Sequence, residues 1–158
     1  MSRLPTATPF LWFDGHAKEA AELYVSLLPA SEITGVEIVN GQPFIVSFTL
    51  GGHPYIAMNA GDHYKLTPAF SISVICDGQE EVDRLWSALT EGGEELRCGW
   101  LTDRFGVTWQ IVPKQYDELR HAGTPAQAKA VVDAMMSMIK FDVAALETAF
   151  IAAEEKVR

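Results

Sequence analysis

Thr8-Pro9-Phe10-Leu11-Trp12-Phe13-Asp14-Gly15 begins as a compact apolar run of strand length and stops at an Asp-Gly turn. From His16 to Leu28 the spacing turns helical, with Ala17, Ala20, Ala21, Tyr24, Leu27 and Leu28 on one stripe, and Pro29 ends it. Three strands are predicted next: Glu32–Asn40, Phe44–Leu50 beyond the Asn40-Gly41 turn, and His53–Asn59 beyond Gly51-Gly52. The pattern then restarts. Cys76-Asp77-Gly78 answers Phe13-Asp14-Gly15 at one constant offset, and Leu85-Trp86 answers Leu23-Tyr24 at nearly the same one. Around these matches lie a strand at Ala69–Cys76 and a helix at Glu80–Leu89 carrying Val82, Leu85, Trp86 and Leu89. Gly92-Gly93 closes that helix, and shorter strands follow at Glu95–Arg97, Trp100–Asp103 and Val107–Val112, ended by Pro113.

The expected fold class is therefore α+β, with two βαβββ modules at about 8–62 and 69–113 in a single domain spanning 1–158. A helical tail occupies about 114–158. Thr124-Pro125 caps and starts a helix with the stripe Ala128, Val131, Val132, Met135, Met136 and Ile139. Asp142 can cap a last helix carrying Val143, Leu146, Phe150 and Ile151.

The chain's 158 residues are 48% apolar and 21% charged, a composition that builds a core and argues against disorder. A net charge of −9 opposes binding to nucleic acid or to anionic membranes. Lys18, Lys65, Arg84, Arg97, Arg104 and Lys114 are scattered and form no basic patch. The first residues, Met1 to Thr6, lack the apolar core of a secretion signal, and no apolar run has the length of a membrane span. Cys76 and Cys98 are too few for a disulfide framework. A cytoplasmic location is expected.

Two βαβββ modules in a chain of this length resemble the vicinal oxygen chelate superfamily, the glyoxalase, bleomycin resistance and dioxygenase group. Thr8 to Gly15 and the segment Cys98-Gly-Trp-Leu-Thr-Asp-Arg-Phe-Gly-Val-Thr-Trp-Gln-Ile-Val-Pro113 look like its PhnB-like branch. That branch is often labelled 3-demethylubiquinone-9 3-methyltransferase; the Met-rich tail is similar to that of some members. The resemblance implies one glyoxalase-like domain in which each module curls a four-stranded mixed sheet with its helix outside. The two sheets would line a cup, and homodimers would be common. The methyltransferase label finds no matching chemistry: an S-adenosylmethionine enzyme of the doubly wound type needs a glycine-rich strand–helix turn, and Asp14-Gly15-His16-Ala17 has one glycine.

The superfamily's enzymes mostly hold a divalent cation on His, Glu or Gln from the first and last strands of each module. Mapping that pattern here gives Thr8, Ala57, Ser71 and Gln110, with Asn59 replacing Ala57 if the register slides by two. Such a neutral set cannot hold a catalytic transition metal, so no metal and no cofactor are expected. His16, His53, His63 and His121 fall in turns, loops or helix ends without a partner at ligand spacing. Strand alternation predicts that Phe10, Trp12, Tyr55, Asn59, Ser71, Ser73, Thr108 and Gln110 line the open face, with Trp100 at the rim and Trp109 in the core. Asp14 and Asp77 are expected to cap the two module helices. Cys98 is the one candidate nucleophile.

An aromatic lining dotted with neutral hydrogen-bonding groups suits a metal-free small-molecule binding protein. The alternative is an enzyme, of isomerase or transferase type, acting on an uncharged small substrate of aromatic character. A third reading makes the tail a surface for a protein partner, and a homodimer is expected.

Overall fold

The computed structural model describes residues 5–157, so the reading of Met1 to Leu4 as part of a signal-free terminus lies outside the described residues. The chain divides between Leu66 and Thr67 into two compact units. The first contains β1 (Phe10–Phe13), α1 (Ala17–Leu27), β2 (Glu32–Val39), β3 (Gln42–Leu50) and β4 (His53–Asn59). Its sheet runs β1-β4-β3-β2, with β1 parallel to β4 and the other neighbours antiparallel.

The second unit repeats the plan with β5 (Ser71–Cys76), α2 (Gln79–Thr90), β6 (Glu94–Glu95), β7 (Trp100–Thr102) and β8 (Thr108–Pro113). Its sheet order, β5-β8-β7-β6, and its single parallel pair reproduce the first. Both sheets are open, and the fold is α+β as the repeat predicts. The helical tail belongs to this second unit and comprises α3 (Lys114–Ala122), α4 (Pro125–Met136) and α5 (Val143–Val157). Strands β1 and β5 each start two residues later than the sequence suggests, and β8 one residue later. β1 begins at Phe10, because Pro9 has no N–H for the ladder and only its carbonyl takes part, accepting from the Ile56 amide at 3.0 Å. β5 begins at Ser71, two residues beyond Ala69.

Each helix covers one face of its own sheet. Ala17, Ala20, Ala21 and Tyr24 of α1 are fully buried, and so is Val46 of β3; Phe48 and Leu50 lie almost as deep. Three alanines at helical spacing let the helix lie close on the strands, and Tyr24 fills the remaining depth. On α2 the corresponding stripe is Val82, Leu85, Trp86 and Leu89, and its sheet contributes Ile72, Leu101, Trp109 and Ile111. Each such side chain contributes roughly 1.5–3 kcal/mol on leaving water.

The helix starts differ from the prediction. Neither Asp14 nor Asp77 caps its helix: the residues at those positions are His16 and Gly78, without a side-chain cap bond. The first α1 amide, Ala17, instead donates to Asn59 Oδ1 at 2.8 Å, and Asp77 pairs with Lys114. That pairing holds the Asp77 carboxyl below its ordinary range, first through the hydrogen bond and then through charge. The tail follows its expected caps. Thr124 and Gln127 form a reciprocal capping box, and Asp142 Oδ1 accepts from the Ala145 amide at 3.0 Å.

Candidate functional site

The second sheet presents two chemically opposite faces. Ladder partners point to the same side, so Ser71 with Thr108, Ser73 with Gln110, Thr102 with Thr108 and Trp100 with Gln110 share the face turned away from α2. That face therefore carries Ser71, Ser73, Trp100, Thr102, Thr108 and Gln110 on three adjacent strands. Gln110 Nε2 donates to Ser71 Oγ at 2.9 Å, and the Thr102 and Thr108 hydroxyls lie 3.3 Å apart. The Gln110 carbonyl oxygen is not used in that bond. None of these six side chains titrates near neutrality, but Thr108 is only 1% exposed, and the same face also carries the exposed Ile75 and, opposite Thr102 on the edge strand β6, the carboxylate of Glu94.

On the opposite side Trp109 is 1% exposed, in the core as expected. Its Nε1 donates to Asp103 Oδ2 at 2.9 Å, while Asp103 Oδ1 accepts from the Phe105 and Val107 amides at 2.8 and 3.1 Å. This buried carboxylate pins the β7–β8 hairpin, a role outside the strand assignment that Trp100–Asp103 received from the sequence. A carboxylate followed within four residues by a turn glycine and then an indole is the signal that was available.

In the first unit the prediction needs correcting. Phe10 pairs with Ile56, and Trp12 with Met58, on the face turned away from α1. Leu11 pairs with Ala57 and Phe13 with Asn59 on the face beneath α1. Tyr55, Ala57 and Asn59 therefore point to the helix side, opposite to the side predicted for them. Ala57 is fully buried, and Tyr55 stacks on Phe48 at 5.6 Å, with Phe48 6.5 Å from Tyr24 of α1. Burial pushes the Tyr55 phenol above its ordinary pKa. Asn59 is fully engaged as a clasp: Oδ1 accepts from Ala17, and Nδ2 donates to the Pro43 carbonyl at 3.0 Å. Phe10 and Trp12 do lie on the open side. Trp12 Nε1 donates to Gly61 O at 2.9 Å, and its ring meets Tyr64 edge-on at 5.1 Å.

The same ladders revise the metal positions. Ser73 lies opposite Gln110 and its repeat partner Phe10 lies opposite Ile56, so Ile56, and not Ala57, is the counterpart of Gln110. The donor set implied by the fold becomes Thr8, Ile56, Ser71 and Gln110: two hydroxyls, an alkyl group and an amide. This set does not fit a catalytic cation, since it offers neither charge nor imidazole, and Ser71 already accepts from Gln110. Among the described residues no group of three or more His, Cys, Asp or Glu could hold a metal ion, and all four histidines are exposed. Cys98, between β6 and β7, directs its thiol toward Met136 O at 3.8 Å. No described helix is long and apolar enough to cross a membrane.

Paired modules of this topology define the vicinal oxygen chelate superfamily. A family model described as 3-demethylubiquinone-9 3-methyltransferase matches residues 5–112, and the chain belongs to that family, the PhnB-like branch of the superfamily. Among solved structures, the chain is similar to a putative 3-demethylubiquinone-9 3-methyltransferase, PhnB protein, from Bacillus cereus. The two are 30% identical with a TM-score of 0.65 over 69% of this chain and 99% of that one. Protein PA1353 from Pseudomonas aeruginosa is 26% identical with a TM-score of 0.55, over 69% and 97% of the two chains. A fosfomycin resistance protein, FosX, from Listeria monocytogenes, complexed with Mn(II) and sulfate, shares the fold at 17% identity and a TM-score of 0.50, over 70% and 91%. A search among functionally curated proteins finds no match. Helices α3 to α5 lie beyond the part matched by the family model.

Proposed function

We propose that the chain is a metal-free binding protein for an uncharged small molecule, taken up on the open face of β5, β8 and β7. The carrying observation is the row Ser71, Ser73, Thr102 and Gln110 beside the Trp100 ring, on a sheet whose other face packs its apolar side chains against α2. Neutral donors and acceptors next to an indole match a flat ligand with an amide or carbonyl edge, and Glu94 at the β6 edge of the face disfavours an anionic one. The enzyme alternative has less support. On this face there is no general base, and the one exposed-side thiol, Cys98, lies against a carbonyl. Exposed Met136, Ile139 and Ile151 on and beside the tail helices support a homodimer, to be measured by sedimentation. Two free cysteines fit a cytoplasmic location.

Thermal-shift measurement with neutral aromatic amides, benzamide first, tests the reading. A ligand at a hundred times its dissociation constant stabilises by about 2.7 kcal/mol, which raises the melting temperature by about 5–10 °C. Gln110→Leu should abolish that rise while leaving the unliganded melt nearly unchanged. A panel of such amides, lactams and quinones that stabilises nothing would remove the proposal's support.

A further inference from the structure

Between β6 and β7, Cys98 and Gly99 form a consecutive left-handed pair, with φ of +61° and +81°. A non-glycine residue in that region is strained and persists only where its surroundings hold it. Here the holding groups come from the tail. The Cys98 amide donates to Met138 O at 2.8 Å and the Gly99 amide to Ile139 O at 2.7 Å, while Gly99 O accepts from the Ile111 amide at 2.8 Å. The Phe141 ring lies so close on Gly99 that it leaves no room for a Cβ there. Phe141 is itself 2% exposed, packs on Tyr116 at 5.2 Å, and is anchored through Gln79, which donates to Phe141 O and accepts from the Val143 amide.

The next residue is Trp100, the ladder partner of Gln110. We infer that Phe141, carried on the segment between α4 and α5, is a positioning residue that fixes Trp100 at the margin of the binding face. The inference rests on the proposed binding role of that face for its functional meaning. The clamp lies outside residues 5–112, so affinity and specificity on the β7 side are set by a part of the chain that the family model does not include. A ligand's planar edge meets the tryptophan ring only while the left-handed pair is clamped. Loosening the tail segment would release the ring without touching any residue of the face.

The test uses the full chain labelled with 5-fluorotryptophan, the Trp100 resonance being assigned by its loss in Trp100→Phe. Phe141→Ala should shift or broaden that resonance, leave the Trp12 resonance unchanged, and weaken benzamide binding about tenfold. Phe141→Leu should fall between the two. Gln79→Leu removes the two bonds from Gln79 to the segment, along with its bond to Asp83, but leaves the Lys140–Asp83 pair and the Cys98 and Gly99 amides holding it, so it should give a smaller change of the same kind. A Trp100 resonance identical to that of the parent in folded Phe141→Ala and in Gln79→Leu overturns the inference. Should Phe141→Ala fail to fold, Phe141→Leu and Gln79→Leu decide by the same criterion. Absence of benzamide binding by the parent chain counts against the binding role alone, because the fluorine spectrum still decides the positioning.

Discussion

Replacing Asn59 with alanine separates a ligand-binding role from a structural one. The side chain satisfies the first amide of α1 and one carbonyl of the β2–β3 turn region, Pro43, from a part-buried position. Loss of a helix cap costs about 1 kcal/mol, and leaving a half-buried carbonyl without its partner costs about as much again, so Asn59→Ala should destabilise the first unit by about 2 kcal/mol. With a urea m-value of about 2 kcal/mol/M, the unfolding midpoint falls by about 1 M at unchanged slope. Amide exchange gives a local readout, since the Ala17 amide loses its acceptor and should exchange on the order of 30-fold faster. Asn59→Asp keeps the acceptor and places negative charge at a helix start, but loses the donor to Pro43, so about half the effect remains. Ligand-induced stabilisation should survive both changes. A midpoint moved by less than about 0.2 M, together with loss of ligand response, would refute the clasp and return Asn59 to the binding face.

Asp103→Asn presents an amide N–H to one of the three donors that the carboxylate now accepts, and should lower stability by about 3 kcal/mol in chemical denaturation. A change below about 1 kcal/mol would mean that the hairpin does not depend on this carboxylate. For the two thiols, burial pushes Cys76 up to about 12, so iodoacetamide at pH 8 should modify Cys98 first, as read by peptide mass spectrometry. Equal labelling of the two in folded protein contradicts this. The folded Cys76 pKa is raised above its ordinary 9.0, so its contribution to stability is present below pH 9 and disappears as pH rises toward about 12. Cys76→Ser should flatten the alkaline part of the stability curve, and an unchanged curve excludes this origin.

The repeat was readable because its markers are local: the Asp-Gly turns and the helical stripes of α1 and α2 are short-range patterns. The second sheet's open face was readable for a related reason. Ser71, Ser73, Thr108 and Gln110 alternate with Ile72, Val74, Trp109 and Ile111, so only one parity buries the apolar set. β4 carries no such contrast. In His53-Pro54-Tyr55-Ile56-Ala57-Met58-Asn59 both parities place apolar groups on each face, and a one-residue slip exchanges the faces without any visible penalty. Mapping the superfamily's ligand pattern onto the chain therefore set Ala57 against Gln110, whereas the ladders set Ile56 there. The Asn59 clasp and the grip of Phe141 on Gly99 join residues far apart in the chain, which no local pattern discloses.

The Asn59 clasp also ties the stability of a helix start to the last strand of its module. The first turn of α1 is completed by a residue at the far end of β4, so the helix gains its full stability only when the last strand of its module is in place. That couples residues 10–59 into one cooperative step rather than a helix that forms early and waits. In the second unit, Pro113 holds the position equivalent to Asn59, as the partner of Cys76 where Asn59 is the partner of Phe13. Its closing links run instead from Gln79 to Phe141 and Val143. On a ribosome the first unit can therefore finish soon after β4 emerges, while α2, whose core partners lie in β5, β7 and β8, gains its last links, from Gln79, only when the tail has left the exit tunnel.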